Sequence, residues 1–397
     1  MAQSGVGQEL STQRVFADLH IHIGRTETGR PVKVTGARDL TFANIVAEAS
    51  ERKGLDMIGI IDAASPAVQQ DIAAMLDKGA VAELDGGGLQ YGGTTILLGC
   101  ELEVRPEGFG PAHVLCYVPS FDAMQEFTAF LSGYMRNTNL STQRFYGTID
   151  ELFRRVEELN GVIVPAHVFT PFKSVYGSCA DRMADVFPLK RVSAVELGLS
   201  ADSEMADRVR ELHRYTFLTN SDAHSLSKIG REYNELQVND VSFSGFTEAL
   251  QRKGGAAVTA NFGLHPRLGK YHRTMCKQCE SRLPYGESVC SRCGSRSIIK
   301  GVRDRIGEIE TASGEHPPHR PPYIYQIPLE FIPKVGPSTL QKLLDHFGTE
   351  MNVLHRADEE ELAAVVGQPL ARCIVQARDY QMAIEDGGGG VYGKVNM

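Results

Sequence analysis

Long apolar runs are missing from this chain of 397 residues. No stretch approaches the ~20 apolar residues that span a bilayer, and the polar N-terminus lacks the basic-then-apolar order of a secretion leader. A membrane role is therefore not expected, and a cytoplasmic location is. A disulfide framework is missing too. Four of the eight cysteines crowd into one short segment, which in a reducing compartment reads as a metal site. The others, Cys100, Cys116, Cys179 and Cys373, fall in apolar stretches and read as small buried hydrophobes. GGGLQYGG has no following Lys-Ser/Thr, so no Walker-type loop is present, and no Ser-His-Asp order stands out. Positive charge is scarce overall, with a net charge of -8, but its distribution is uneven. Between Arg267 and Arg305, ten Lys/Arg face three acids, leaving the rest of the chain acidic. A basic module beside a carboxylate-rich one suits a polyanion grip next to a metal site.

The chain is too long for one compact core, so a large domain with smaller modules is expected. Residues 1–12, polar with Gly and Ser, read as disordered. From residue 13 to 265 short apolar runs alternate with amphipathic stretches. VFADLHIH, MIGIID, TILLGCELEV, HVLCYV, GVIVPAHV, AVELG and TFLTNSDAH read as strands; LTFANIVAEASERKG, FDAMQEFTAFLSGYM, TIDELFRRVEELN and ADRVRELHRY read as helices. Seven strands alternating with helices predict parallel β/α units closed into a barrel, with chemistry at the C-terminal strand ends. Residues 266–305 form a basic cysteine module, and residues 306–322, with GEHPPHRPP, read as a linker. Helical periodicity resumes over 323–385, and the tail 386–397 opens with four glycines that suggest mobility.

Histidines mark the strand ends. His20 and His22 are two apart, so a strand of period two turns both to one side. Glu101 and Glu103 lie in GCELEV, His113 starts HVLCYV, His167 ends GVIVPAH, and Asp222 and His224 close TNSDAH. Five of the twelve histidines thus sit at strand termini, with carboxylates beside them. Such a set without thiolate suits Zn²⁺, Mn²⁺ or Mg²⁺ in a site of two to three ions, where only carboxylates can bridge cations and neutralise them. Asp222 is the candidate for holding a metal while orienting the attacking water. Glu196 in AVELG reads either as a supporting residue or as a plain strand-end acid.

These motifs, in this order, resemble the PHP (polymerase-and-histidinol-phosphatase) family of phosphoesterases, which implies a distorted (β/α)7 barrel. The resemblance makes His20, His22, Glu101 and Asp222 ligands of one metal, with Glu101 bridging to a second held by His113 and His167, and His224 belonging to a third. Two departures weaken the third site: Asp62 is followed by Ala63 rather than His, and GRTETGR lacks the histidine usual there. Asp62 remains a candidate ligand.

Cys276-x2-Cys279 and Cys290-x2-Cys293 form a pair of knuckles suited to one structural, tetrahedral Zn²⁺, with Arg273 and Lys277 placed for phosphate contact. FIPKVGPSTLQKLLDHFGT reads as a helix-hairpin-helix, its Val335-Gly336-Pro337-Ser338 turn offering backbone N–H groups to a DNA phosphate beside Lys334 and Lys342. A degenerate second copy turns at Val366-Gly367-Gln368.

Barrel, four-cysteine zinc finger and helical hairpins in this order resemble the endonuclease Q family over about residues 13–385. That resemblance implies a DNA endonuclease cutting on the 5′ side of a deaminated base (uracil, hypoxanthine, xanthine) or an abasic site. It requires a pocket for a base turned out of the duplex. Phe169, Phe172 and Tyr176 are the candidate wall. The competing expectations are a small-molecule phosphatase of the histidinol-phosphatase kind and a DNA binder with a vestigial barrel.

Overall fold

The computed structural model describes residues 12–378 and 383–396, so most of the expected disordered N-terminus lies outside the described residues. All seven apolar runs form strands: β1 (Gln13–Ile21), β2 (Met57–Ile60), β3 (Thr94–Val104), β4 (Ala112–Val118), β5 (Val162–Pro165), β6 (Ala194–Glu196) and β7 (Thr216–Leu218). β1, β2 and β3 are parallel neighbours, as are β6 and β7. The expectation of parallel units throughout is corrected at β3, β4 and β5, which pair antiparallel. The connection over residues 105–111 explains the first reversal: a parallel crossover needs about a dozen residues or more. Closure comes from the chain beyond β7, where Ala223 bridges in parallel to Ile21 and the Asn220 side chain accepts from Leu19 N at 3.0 Å.

β1 is also the seam to an outer extension: β8 (Tyr233–Val238) and β9 (Ala257–Gly263) add antiparallel, and β10 (Tyr323–Tyr325) pairs in parallel with β9. Apolar residues of nine strands, among them Leu19, Leu97, Leu115, Val164 and Leu218, share one buried cluster with Phe246 and Ala249 of α5. The helices of six or more residues here are α1 (Phe42–Ala47, continued by a wider turn over Glu48–Lys53), α2 (Pro66–Asp77), α3 (Phe121–Ser132), α4 (Ile149–Glu158) and α5 (Phe243–Gln251). Thr148 and Glu151 cap α4 reciprocally. ADRVRELHRY, read as a helix, gives only the short 3-10 turn Arg210–Arg214 in its second half.

Beyond the cysteine segment lie α6 (Val302–Ile309) and four helices: α7 (Pro337–Phe347), α8 (Glu350–His355), α9 (Glu359–Val366) and α10 (Gln368–Arg378). α9, Gly367 and α10 make a full helix-hairpin-helix, Gly367 taking φ 82°. In the first copy only the turn Leu329–Phe331 precedes the hairpin.

Two connecting segments differ from expectation. The linker is tied down by Arg320, which forks onto buried Asp207 and stacks 3.2 Å over the Phe217 ring. The glycine tail, read as mobile, is a built hairpin: β11 (Ala383–Glu385) pairs antiparallel with β12 (Lys394–Asn396). A Cβ on Gly387 would lie 2.5 Å from the Gly269 carbonyl oxygen, and Gly389 and Gly390 hold positive φ. These glycines serve close approach and turn geometry rather than looseness.

Candidate metal centre and substrate cleft

Antiparallel pairing sets the site. It places Glu103 opposite His113, so a histidine that opens β4 arrives at the same mouth as residues that close β1, β3 and β5. His20, His22 and Glu101 form one group of mutually adjacent ligand atoms, Glu101, His113 and His167 a second, and His22, Asp222 and His224 a third. Glu101 Oε1 lies 2.9 Å from His113 Nδ1 and 3.3 Å from His167 Nε2, while its Oε2 faces His22 Nε2 at 3.5 Å. Asp222 Oδ1 lies 3.5, 3.4 and 3.3 Å from the Nε2 atoms of His20, His22 and His224. Each carboxylate therefore faces several imidazoles, the arrangement a bridging ligand needs.

His167 and Asp222 hold left-handed backbone, φ 32° and 46°, unfavourable for residues with a Cβ. Such strain collects where a side chain must be aimed at chemistry.

A second layer fixes the rings. Glu196 accepts from His20 Nδ1 at 3.0 Å, from His167 N at 2.8 Å and from Asn220 Nδ2 at 2.8 Å. Asp62, a candidate ligand from the sequence, is placed differently: its Oδ2 pairs with His22 Nδ1 at 3.1 Å and accepts from Ile23 N at 2.8 Å. It stands behind His22 and orients the ring instead of joining the cluster.

Lys33 reaches the cluster beside Glu101. Its Nζ lies 2.6 Å from Thr142 Oγ1 and 3.4 Å from Glu101 Oε2, and Thr142 donates to the same carboxylate oxygen at 2.5 Å.

The donor set fits cations. Among the described residues, buried His20 Nε2, His22 Nε2, both ring nitrogens of His113 and His167 Nδ1 have no aligned hydrogen-bond partner. Burial alone depresses the His20 imidazole, but Glu196, Asp222 and Glu101 outweigh it and push it up to about 10. Burial likewise opposes ionisation of Glu101 and Asp222, yet the facing imidazoles, with Lys33 beside Glu101, hold both well below the usual carboxylate range. Carboxylates kept ionised at such depth call for positive charge beside them, which divalent ions supply.

Outward from Asp222 and His224 opens a cavity of about 470 Å³. Lys228, Arg231 and Lys270 form its basic wall, and Tyr271 and Tyr392 its aromatic one. Arg231 is locked onto the Ser221 carbonyl by Nε at 2.9 Å and Nη2 at 2.6 Å. The candidate base wall from the sequence is corrected. Phe169 and Tyr176 are buried and stack on each other at 5.1 Å, leaving no face for a ligand, while exposed Phe172 meets Tyr271 edge-on.

Cys276, Cys279, Cys290 and Cys293 converge, with Sγ atoms 3.6 Å apart for Cys276–Cys293 and 3.5 Å for Cys279–Cys290. The Ser281 hydroxyl, 3.2 Å from Cys290 Sγ, helps pull that thiol down to about 6, while the neighbouring thiols push Cys293 up to about 12. Lys277, Lys334, Gly336, Ser338, Lys342 and Gly367 are exposed, whereas Arg273 is half-buried beside the tail hairpin.

The PHP-associated family model matches residues 202–253, the segment carrying Asp222 and His224. The chain is 49% identical to the Bacillus subtilis protein YqxK over 385 residues, 96% of this chain and 99% of that one. Its structure superposes on the lesion-specific endonuclease PfuEndoQ of Pyrococcus furiosus with a TM-score of 0.83 at 33% identity, covering 97% and 96% of the two chains. This chain belongs to the endonuclease Q family. A second structure of that family, an Endonuclease Q complex with a 27-mer duplex carrying an abasic lesion at the active site, matches with a TM-score of 0.84 over 97% of each chain. Within this family member, sequence reasoning missed Lys33, Thr142, Lys228, Arg231, Lys270 and Tyr392. Lys270 stands in GLHPRLGKYHRTMC, a run noticeable only as a whole, and isolated cations or tyrosines carry no periodic or spacing signal.

Proposed function

We propose that this chain is a metal-dependent DNA repair endonuclease that hydrolyses the phosphodiester 5′ to a deaminated base or an abasic site. Membership of the endonuclease Q family makes it a hydrolase of the DNA-endonuclease class. The observation that carries the finer reading is one cavity that joins the histidine–carboxylate cluster to a basic wall of Lys228, Arg231 and Lys270. Divalent ions held there by His20, His22, Glu101, His113, His167, Asp222 and His224 would supply hydroxide at neutral pH and stabilise charge on the phosphorane oxygens. Asp222 orients the attacking water, and the basic wall holds the non-reacting phosphate oxygens.

A continuous path supports duplex DNA as substrate. Ser225 borders both this cavity and a groove of about 820 Å³ that reaches Val335, Gly336 and Pro337 of the first hairpin. Phosphates running from the metals along Ser225 would meet the hairpin N–H groups, with the zinc module gripping the far side.

The test is incubation of the protein with Mg²⁺ or Mn²⁺ and an end-labelled duplex carrying one hypoxanthine or one abasic site, beside p-nitrophenyl phosphate. Nicking 5′ to the lesion is expected. Phosphatase turnover without nicking would replace this reading with the small-molecule one. Asp222→Asn is expected to abolish nicking while leaving duplex affinity within about twofold.

A further inference from the structure

The cavity beside the metal cluster is closed on one side by the end of the chain. Asp386, at the base of the tail hairpin, is paired with Arg267 and, at 2.8 Å, with Arg282 of the cysteine module. The glycine loop then lies along residues 267–270: Gly390 N donates to the Lys270 carbonyl at 3.0 Å and Gly393 N to the Leu268 carbonyl at 2.9 Å. A Cβ on Gly393 would meet the Glu385 carbonyl oxygen at 2.2 Å, so this close approach needs glycine. Between those anchors it delivers Tyr392 into the cavity wall.

The ring is held from three directions. Arg231 Nη1 donates to the phenol oxygen at 2.7 Å, Lys270 Nζ stands 4.6 Å from the ring centroid, and Phe331 approaches at 6.2 Å between centroids. An aromatic fixed this way loses little freedom when something stacks on it. The other aromatic of the wall, Tyr271, is already engaged by Phe172. Arg231 and Lys270 supply phosphate-binding charge whether or not a base is present, whereas Tyr392, with Lys270 at 4.6 Å and the Arg231 guanidinium at 5.7 Å over its ring, adds aromatic surface to the cavity wall. A cavity of about 470 Å³ lies in the range of small-ligand sites and has room for a nucleotide with its base.

We propose that Tyr392 is a specificity-determining residue, the stacking wall for the base of the everted nucleotide, carried into the site by the C-terminal glycine strap. This rests on the reading under Proposed function, and it divides lesions into two classes. Base-bearing lesions use Tyr392; abasic sites do not.

The experiment compares wild type, Tyr392→Phe and Tyr392→Ala in the full chain, measuring kcat and KM for nicking duplexes with hypoxanthine or with an abasic site. Tyr392→Ala is expected to raise KM on hypoxanthine by on the order of tenfold more than it raises KM on the abasic duplex. Tyr392→Phe, which keeps the ring and loses the bond to Arg231, is expected to nick both substrates at near wild-type rates. Retained abasic nicking also shows that the alanine variant is folded. Equal losses on both substrates, no loss on either, or a phenylalanine variant as weak as the alanine one would overturn the proposal, leaving Tyr392 as a prop for Arg231. A wild type that nicks neither duplex would refute the endonuclease reading, and this inference with it; one that nicks only the abasic duplex would remove the inference alone.

Discussion

His20 shows what a single residue needs in order to be a ligand. Its Nε2 faces the cluster because Glu196 holds Nδ1, and the same carboxylate fixes His167 through its backbone N–H. Glu196→Gln keeps the volume and removes the charge. Metal affinity and nicking are each expected to fall about 10–100-fold, measured by metal content after dialysis and by nicking against added Mn²⁺; an unchanged metal titration would assign Glu196 to packing. Glu232 is a second buried acid, outside the cluster. Burial pushes it up to about 8, with one bond from Leu264 N at 2.8 Å too weak to offset it. The folded state therefore binds this proton more tightly than the unfolded chain. The resulting stability is complete below the ordinary glutamate range and is lost as pH rises through about 8. Wild type is expected to melt lower at pH 9 than at pH 6, and Glu232→Gln to show a smaller drop; identical drops in thermal melts would exclude Glu232 as the titrating group.

At the level of elements, sequence periodicity located all seven barrel strands but not their directions. Pairing direction depends on connection length and on neighbours distant in sequence, so the antiparallel β3–β4 pair that brings His113 to Glu103 was not visible in the alternation. The hairpins were more legible, because a Gly flanked by apolar residues and followed by Pro is a local signal. Gly336 has an ordinary φ of -86° and nothing within 4 Å of an added Cβ, so the fold itself does not require glycine there. Gly336→Ala is accordingly expected to leave the melting temperature unchanged and to weaken duplex binding several-fold, because the methyl group would block a phosphate from the N–H groups. Unchanged affinity in a fluorescence-anisotropy titration would remove this turn from the DNA path. Glycine at Gly387, Gly389 and Gly390 is required for the opposite reason, close approach or positive φ, which composition alone did not distinguish from looseness.

Across the described residues, ion-paired joints hold modules that the sequence separates, and three show the pattern. Lys53 and Glu350 meet at 2.8 Å between the barrel and the helical hairpins, both nearly buried. Asp386 joins the tail to the cysteine module. Arg320, 1% exposed in its side chain, closes onto Asp207, 0% exposed, and ties the former linker to the barrel. Removing one partner of such a pair strands a buried charge, so Arg320→Leu is expected to destabilise the protein by about 3–5 kcal/mol, read by chemical denaturation; a change near zero would mean that His316 suffices to neutralise Asp207. The sequence by itself determined which residue types stand at strand ends, which cysteines pair by spacing and where the glycine turns fall, because each is set by neighbours a few positions away. Only the tertiary structure decided which of those residues face one another. Asp62 fell behind His22, Lys33 entered beside Glu101, Phe169 and Tyr176 turned into the core, and Tyr392 arrived from the far end of the chain. Direction, burial and long-range pairing are products of global packing, and no local pattern encodes them.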